Sequence, residues 1–201
     1  MGISAACSRI FELSYYDMVE LAALWLPILV SAVFVFLASS VIHMALPIHR
    51  GDYRKLPRED AVLDTLRSSV PPGQYMFPCA DSMKDMGTPE MQAKFAHGPL
   101  GTLIVRPGGS MNMGKSLGQW FVLCLCIGLC VAYAVGLVLP AGDGRVFRIA
   151  TTIATLAYAF GGVTDSIWKG VRWSTTLKFV FDGVVYGLVT GATFAWLWPT
   201  T

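Results

Sequence analysis

Charge is scarce in this chain. Asp, Glu, Lys and Arg make up 14% of its 201 residues, against about 25% in ordinary soluble domains, so a water-facing globule is a poor expectation. The net charge is only +2, and no stretch interleaves aromatic with basic residues, which removes nucleic acid as a partner. No glycine-rich phosphate loop, nucleophile elbow or HExxH pair occurs, which excludes the nucleotide, serine-hydrolase and zinc-protease signatures they carry. The five cysteines, Cys7, Cys79, Cys124, Cys126 and Cys130, form no C-x-x-C pair. Three of them fall in one apolar run, where a thiol acts as a small hydrophobe, so neither a disulfide framework nor a zinc site is expected. The chain begins Met1-Gly2 but lacks the Ser or Thr that a myristoylation signal wants at position 6. No apolar run precedes Cys7, as a lipoprotein signal would require. The first apolar run is too long, and too lacking in a small-residue cleavage site, to be a removable signal peptide; a retained helix is expected instead.

What is abundant is hydrophobicity, at 54% of residues. A helix needs about 20 mainly apolar residues to cross a bilayer, and four segments qualify: residues 21–46, 117–139, 147–168 and 177–198. Pro140 and Pro199 follow the second and fourth, and Trp120, Trp168, Trp173, Trp196 and Trp198 sit near segment ends, where amphipathic rings favour the headgroup layer. The expected fold is therefore all-α transmembrane, a four-helix membrane bundle. Residues 1–20 form an N-terminal extracytoplasmic or interfacial segment, and residues 47–116 form a polar cap. Four crossings place both termini on one side. The other side holds 12 of the 15 Lys and Arg residues, leaving Arg9, Arg145 and Arg148 opposite. Positive charge is retained in the cytoplasm, so the cap is expected to be cytoplasmic and both termini extracytoplasmic.

The cap has structure of its own. Residues 57–67 read as an amphipathic helix opened by Pro57. Thr88-Pro89-Glu90 supplies a capping hydroxyl followed by proline at the first helical position; that helix should run to about Ala96 and stop at Gly98-Pro99. Thr102–Val105 reads as a strand closed by Pro107-Gly108-Gly109, with Gln74–Phe77 as its partner. A small α+β cap follows.

Helices associate in membranes by close packing and polar contacts, since lipid tails are as apolar as leucine. Gly183, Gly187, Gly191 and Ala195 recur every fourth residue on the last segment, and Cys124, Gly128, Ala132 and Gly136 do so on the second. Each ridge admits a neighbouring backbone, either within one bundle or between two copies of the chain. On the last segment Phe181, Val185, Leu188, Ala192 and Trp196 make an opposing, lipid-suited face.

Ionisable groups inside spanning segments cost about 2.5–3.5 kcal/mol at mid-bilayer and tend to face the interior. His43, Asp165 and Asp182 each lie about one turn inside a segment boundary, all towards the cytoplasmic end. At about 100° per residue, Asp182, Tyr186, Thr190 and Thr193 share one stripe, Asp165, Tyr158, Thr155 and Thr151 another, and His43 lies with Ser39, Ser40 and Ala32. Three uses are open to such a cluster. The aspartates could pair with Lys169, Arg172 or Lys178; a proton or cation could move along the stripe; or His43 with the carboxylates could hold a divalent metal. His49, Arg50, Asp52 and Arg54, with Tyr53, follow directly and read as an interfacial anchor on anionic headgroups. The methionines of the cap, with Cys79 and His97, show no regular Met-x-x-Met repeat and read as packing residues rather than a copper site. No cofactor is expected.

The stretches VIHMALPIHRGDYRKLP and FDGVVYGLVTGATFAWLWP resemble an uncharacterised family of bacterial multi-pass inner-membrane proteins. The resemblance implies a bacterial source and an inner-membrane address, and brings no activity with it. From the residues, the expectation is a membrane protein whose partners are the bilayer and either further copies of itself or other subunits of a membrane complex. A small transporter or channel using the His/Asp cluster is the alternative, and a membrane-embedded metalloenzyme the third.

Overall fold

The computed structural model describes residues 18–200, so Cys7, Arg9 and most of the N-terminal segment lie outside the described residues. The chain is mostly helical, and four of its helices are long and apolar enough to cross a membrane: Leu21–Ala45, Met113–Gly136, Val146–Trp168 and Trp173–Trp196. They fall close to the four apolar segments, with shifts that have local causes. The second starts four residues before Leu117 because Asn112 caps it, its Oδ1 accepting from the Lys115 amide at 2.9 Å. The fourth starts at Trp173 because Ser174, Thr175 and Thr176 are polar enough to lower hydropathy while still tolerating a helix. The third is broken: α5 (Val146–Ala159) ends before Gly161-Gly162, and α6 (Val163–Trp168) resumes after it.

Two compact units divide the chain. One takes the residues up to His49, Asn112–Val163 and Ser174 onward; the other takes Arg50–Met111 and Thr164–Trp173.

The first unit opens with a 3-10 turn, Leu21–Leu24, that leads into α1 (Trp25–Ser40). A π-turn, Val41–Ala45, continues α1, and a short 3-10 turn, Pro47–His49, follows. The remaining helices are α4 (Met113–Gly136), α5 and α7 (Trp173–Trp196). Leu24, Val131, Val135, Val146, Ala150, Ala154 and Phe194 make one core cluster, and Ala32, Val35, Ile42, Cys124 and Tyr186 a second.

Glycine sets how closely the helices approach. A Cβ added at Gly183 would lie 2.5 Å from Ala159 Cα, and one at Gly187 or Gly191 would overlap the hydroxyls of Thr155 or Thr151. The last-segment ridge is thus filled by α5. Its fourth expected member, Ala195, is exposed, because a spacing of four drifts round the helix. The ridge of α4 is buried throughout; a Cβ at Gly128 would meet Ile28 O at 3.4 Å, and one at Gly136 would meet Val19 O at 2.8 Å. On the opposite side of α7, Phe181, Leu188 and Trp196 are exposed, whereas Val185 is half-buried against the second cluster.

The second unit holds α2 (Glu59–Ser69), β1 (Gly73–Phe77), α3 (Pro89–His97) and β2 (Gly101–Val105). The strands pair antiparallel, with Gln74 opposite Ile104 and Phe77 opposite Gly101. Thr88 caps α3 as its sequence suggests, accepting from the Met91 amide, and Gly98 (φ +64°) ends it, in a conformation open to glycine. The first helix begins at Glu59 rather than Pro57 because Arg58 is left-handed (φ 53°). The Arg172 guanidinium donates to the carbonyls of Gly51 and Asp52 at 2.7 and 2.9 Å.

Candidate functional site

The polar residues of the first unit converge at the end of α1. The π-turn carries His43. Leu46 is extended and breaks the helix, and Pro47, with φ fixed near −65°, opens the 3-10 turn that ends at His49. This reversal brings the imidazoles of His43 and His49 to a ring-centre distance of 4.4 Å, tilted by 31°. Asp182, on α7, lies against both: its Oδ2 is 2.9 Å from His49 Nε2 and 3.7 Å from His43 Nε2. One turn earlier on α7, Phe179 packs against the two rings at 5.0 and 6.0 Å. Asp182 is fully buried, at 1% exposure. The side chain of His49 is 12% exposed and that of His43 39%.

A cavity of about 660 Å³ opens beside this group. Its walls include Met44, Met113, Leu117, Trp120, Tyr158 and Phe179, and His43, Asp182 and Tyr186 also line it. Trp120, Tyr158 and Tyr186 form an aromatic triangle with ring centres 5.6 to 6.1 Å apart. The Trp120 indole N–H donates to Ser39 Oγ at 2.9 Å, tying α4 to α1. The hydroxyl of Tyr186, buried at 4% exposure, has no hydrogen-bond partner among the described residues. Further along α7, Thr190 and Thr193 donate to the carbonyls of Tyr186 and Val189, the usual way a hydroxyl is satisfied inside a helix.

Of the residues singled out in the sequence, His43, Asp182, Tyr158 and Tyr186 line this one cavity. Asp165 belongs to the second unit, where its carboxylate meets Lys169 at 2.6 Å across one helical turn and remains 42% exposed. Of the basic partners open to the aspartates, Lys169 is thus taken by Asp165, while Arg172 binds backbone carbonyls. His49, read in the sequence as a headgroup contact, has its Nε2 against the buried carboxylate instead. The readable signal was His43-x5-His49 around Pro47, two imidazoles on either side of a forced reversal. In the second unit Asp52, Tyr53, Arg54 and Arg172 surround a shallow hollow, and Lys55 pairs with Glu59 at 3.6 Å. The four cysteines among the described residues, Cys79, Cys124, Cys126 and Cys130, are free thiols.

The chain matches no protein-family profile, no curated protein and no solved structure. What the site can do must therefore come from its chemistry. Two imidazoles and a carboxylate exchange protons readily and form a nitrogen–nitrogen–oxygen donor set; the cavity beside them suits an apolar body.

Proposed function

We propose that this is a four-crossing protein of the bacterial cytoplasmic membrane that binds a lipid-soluble molecule with a single polar head in the cavity of its first unit. One observation carries the reading: a cavity of about 660 Å³ walled by aromatic and aliphatic side chains has its ionisable groups, His43 and Asp182, together with the unpartnered hydroxyl of Tyr186. A large apolar pocket with a few convergent polar groups is the usual form of a small-molecule site. The membrane setting draws on the four long apolar helices and on large apolar side chains exposed along them, such as Trp25, Leu156, Leu177 and Phe181. The orientation draws on the basic residues, with residues 47–116 and 169–176 on the cytoplasmic side.

A photo-crosslinking residue in place of Leu117, which lines the cavity, tests the reading against the same residue in place of Leu123, which is exposed elsewhere on α4. A discrete lipophile captured at position 117 and only bulk phospholipid at 123 supports it. The same distribution at both positions refutes it. Single cysteines at Asp143 and Glu90 test the orientation: labelling from outside at 143, with 90 protected, is expected.

Transport of a proton or cation is the second reading, favoured by the burial of Asp182, Tyr186, Thr190 and Thr193 in a single stripe of α7. Its mark would be a pH-dependent conductance in liposomes that Asp182→Asn abolishes while the fold survives. Self-association through the glycine ridges draws less support, because Gly128, Gly136, Gly183, Gly187 and Gly191 all meet neighbours within the chain. A homo-oligomer or an accessory subunit would need another surface.

A further inference from the structure

We infer that His43, His49 and Asp182 form a binding site for a divalent first-row transition-metal ion, with one coordination position left open towards the cavity. The inference goes beyond the lipophile reading and stands or falls separately from it.

Geometry comes first. One ligand atom from each of the three residues lies within 4.8 Å of the other two, and Asp182 Oδ2 is 2.9 and 3.7 Å from the two Nε2 atoms. Bonds of about 2.0–2.2 Å in a tetrahedron put neighbouring ligand atoms about 3.3 Å apart. The two separations from Asp182 bracket that value, and side-chain adjustment of the histidine pair would centre an ion. Two ligands come from one short segment, residues 43–49, and the third from a packed helix, so the carboxylate is held rigidly while the histidine pair can adjust. The π-turn adds an independent observation. Such turns insert one extra residue into a helix and recur at functional sites, and this one carries His43 itself.

Charge comes second. A carboxylate at 1% exposure in an apolar helix is costly unless a positive charge meets it. A bound dication would meet that carboxylate directly. The donor set then narrows the metal. Magnesium and calcium take oxygen ligands, and Cu(I) prefers thiolate and thioether sulfur. Two imidazoles with one carboxylate suit Zn²⁺ or Fe²⁺, and three protein ligands leave an open position, as catalytic zinc sites and two-histidine-one-carboxylate iron sites do. His43 and Asp182 line the cavity, so that position would face its interior.

The test titrates Zn²⁺ alone into chelator-stripped full-length protein in detergent, reading stoichiometry by elemental analysis and geometry by Co²⁺ absorption. One ion per chain is expected. His43→Gln and His49→Gln should each weaken binding at least about tenfold, the loss that even an outlying partner of a metal ligand can cause. His97→Gln, at an exposed position in the second unit, should leave binding unchanged. Because the His43 side chain is 39% exposed, its substitution empties no core position, and helical circular dichroism will report whether each variant folds. Absence of saturable binding by the parent, or binding equally tight in folded His43→Gln/His49→Gln protein, overturns the inference and leaves a histidine–carboxylate ion pair. Capture of a lipophile at position 117 would be unaffected by that failure.

Discussion

The two units of this molecule use the same residue types to opposite effect. In the first, Ser31, Ser39, Thr190 and Thr193 are buried and turned onto carbonyls of their own helices, and Gly183, Gly187 and Gly191 mark places where helices meet closely. In the second, charges are frequent, ion pairs are local and exposed, and several glycines, Gly51 and Gly87 among them, have open space where a side chain would go. Asp182 and Asp165 state the contrast most directly. One lies between two imidazoles at 1% exposure; the other keeps 42% of its side chain in contact with the surroundings and pairs with a lysine four residues away. The lesson is that the energetic meaning of a carboxylate is set by what its removal would strand.

Removing each carboxylate should separate the units most widely. Asp182→Ala leaves His43 and His49 without their acid, and should cost about 3–5 kcal/mol, the range for breaking a buried pair. Asp165→Ala should cost less than about 0.5 kcal/mol, as exposed i,i+4 pairs do. Unfolding titrations in mixed detergent micelles would measure both, and equal losses would dissolve the contrast. Next come the glycines. Gly183→Ala places a methyl 2.5 Å from Ala159 Cα and should destabilise by about 2–3 kcal/mol through overpacking, whereas Gly87→Ala should be nearly neutral by the same titration. Within the second unit the expected effects are smaller and local. Thr88→Ala removes the cap on α3 and should cost about 0.5–1 kcal/mol, visible as faster amide exchange confined to that helix.

The smallest effect concerns Asp143, in the loop after α4. The Arg145 guanidinium and amide donate to its carboxylate and hold its pKa down to about 2. A lowered carboxylate pKa contributes stability above the unfolded value of about 3.9, and that contribution is lost as pH falls towards about 2. Subtracting the acid-unfolding curve of Asp143→Asn from that of the parent should leave a small step in that window, and a flat difference would place the pair among inert surface contacts.

The features legible in the sequence are those that local chemistry dictates. Apolar runs marked the long helices, Thr88-Pro89 marked the start of α3, and Thr102–Val105, closed by Pro107-Gly108-Gly109, marked the strand that pairs with Gln74–Phe77. Spacing of four marked the close-packed ridges at Gly128 and Gly187, because a helical period converts directly into a face. The break at Gly161-Gly162 was harder to see, since hydropathy averages across two residues. So was the four-residue extension at Trp173, where Thr175 and Thr176 lower the hydropathy although the helix buries them. At the site, the stripes placed Asp182, Tyr186 and Tyr158 along shared faces. The inward turn of His49 depends on a π-turn and a proline-led reversal acting together, and no periodicity records such a combination. Asp165 shares its stripe with Tyr158 only if the helix runs unbroken, and Gly161-Gly162 interrupts it.

The π-turn also fixes how this chain could change length. An α-helix gains about 100° of rotation for each residue, so the extra residue among Val41–Ala45 is a register adjustment. Deleting Met44, a residue 83% exposed, would let the segment relax to ordinary α-helix without removing a core residue. The deletion would also swing everything after it by about one residue's rotation, carrying His49 off Asp182. A one-residue deletion there should thus be mild for the helices and severe for the His–Asp group, separating the scaffold from what it carries.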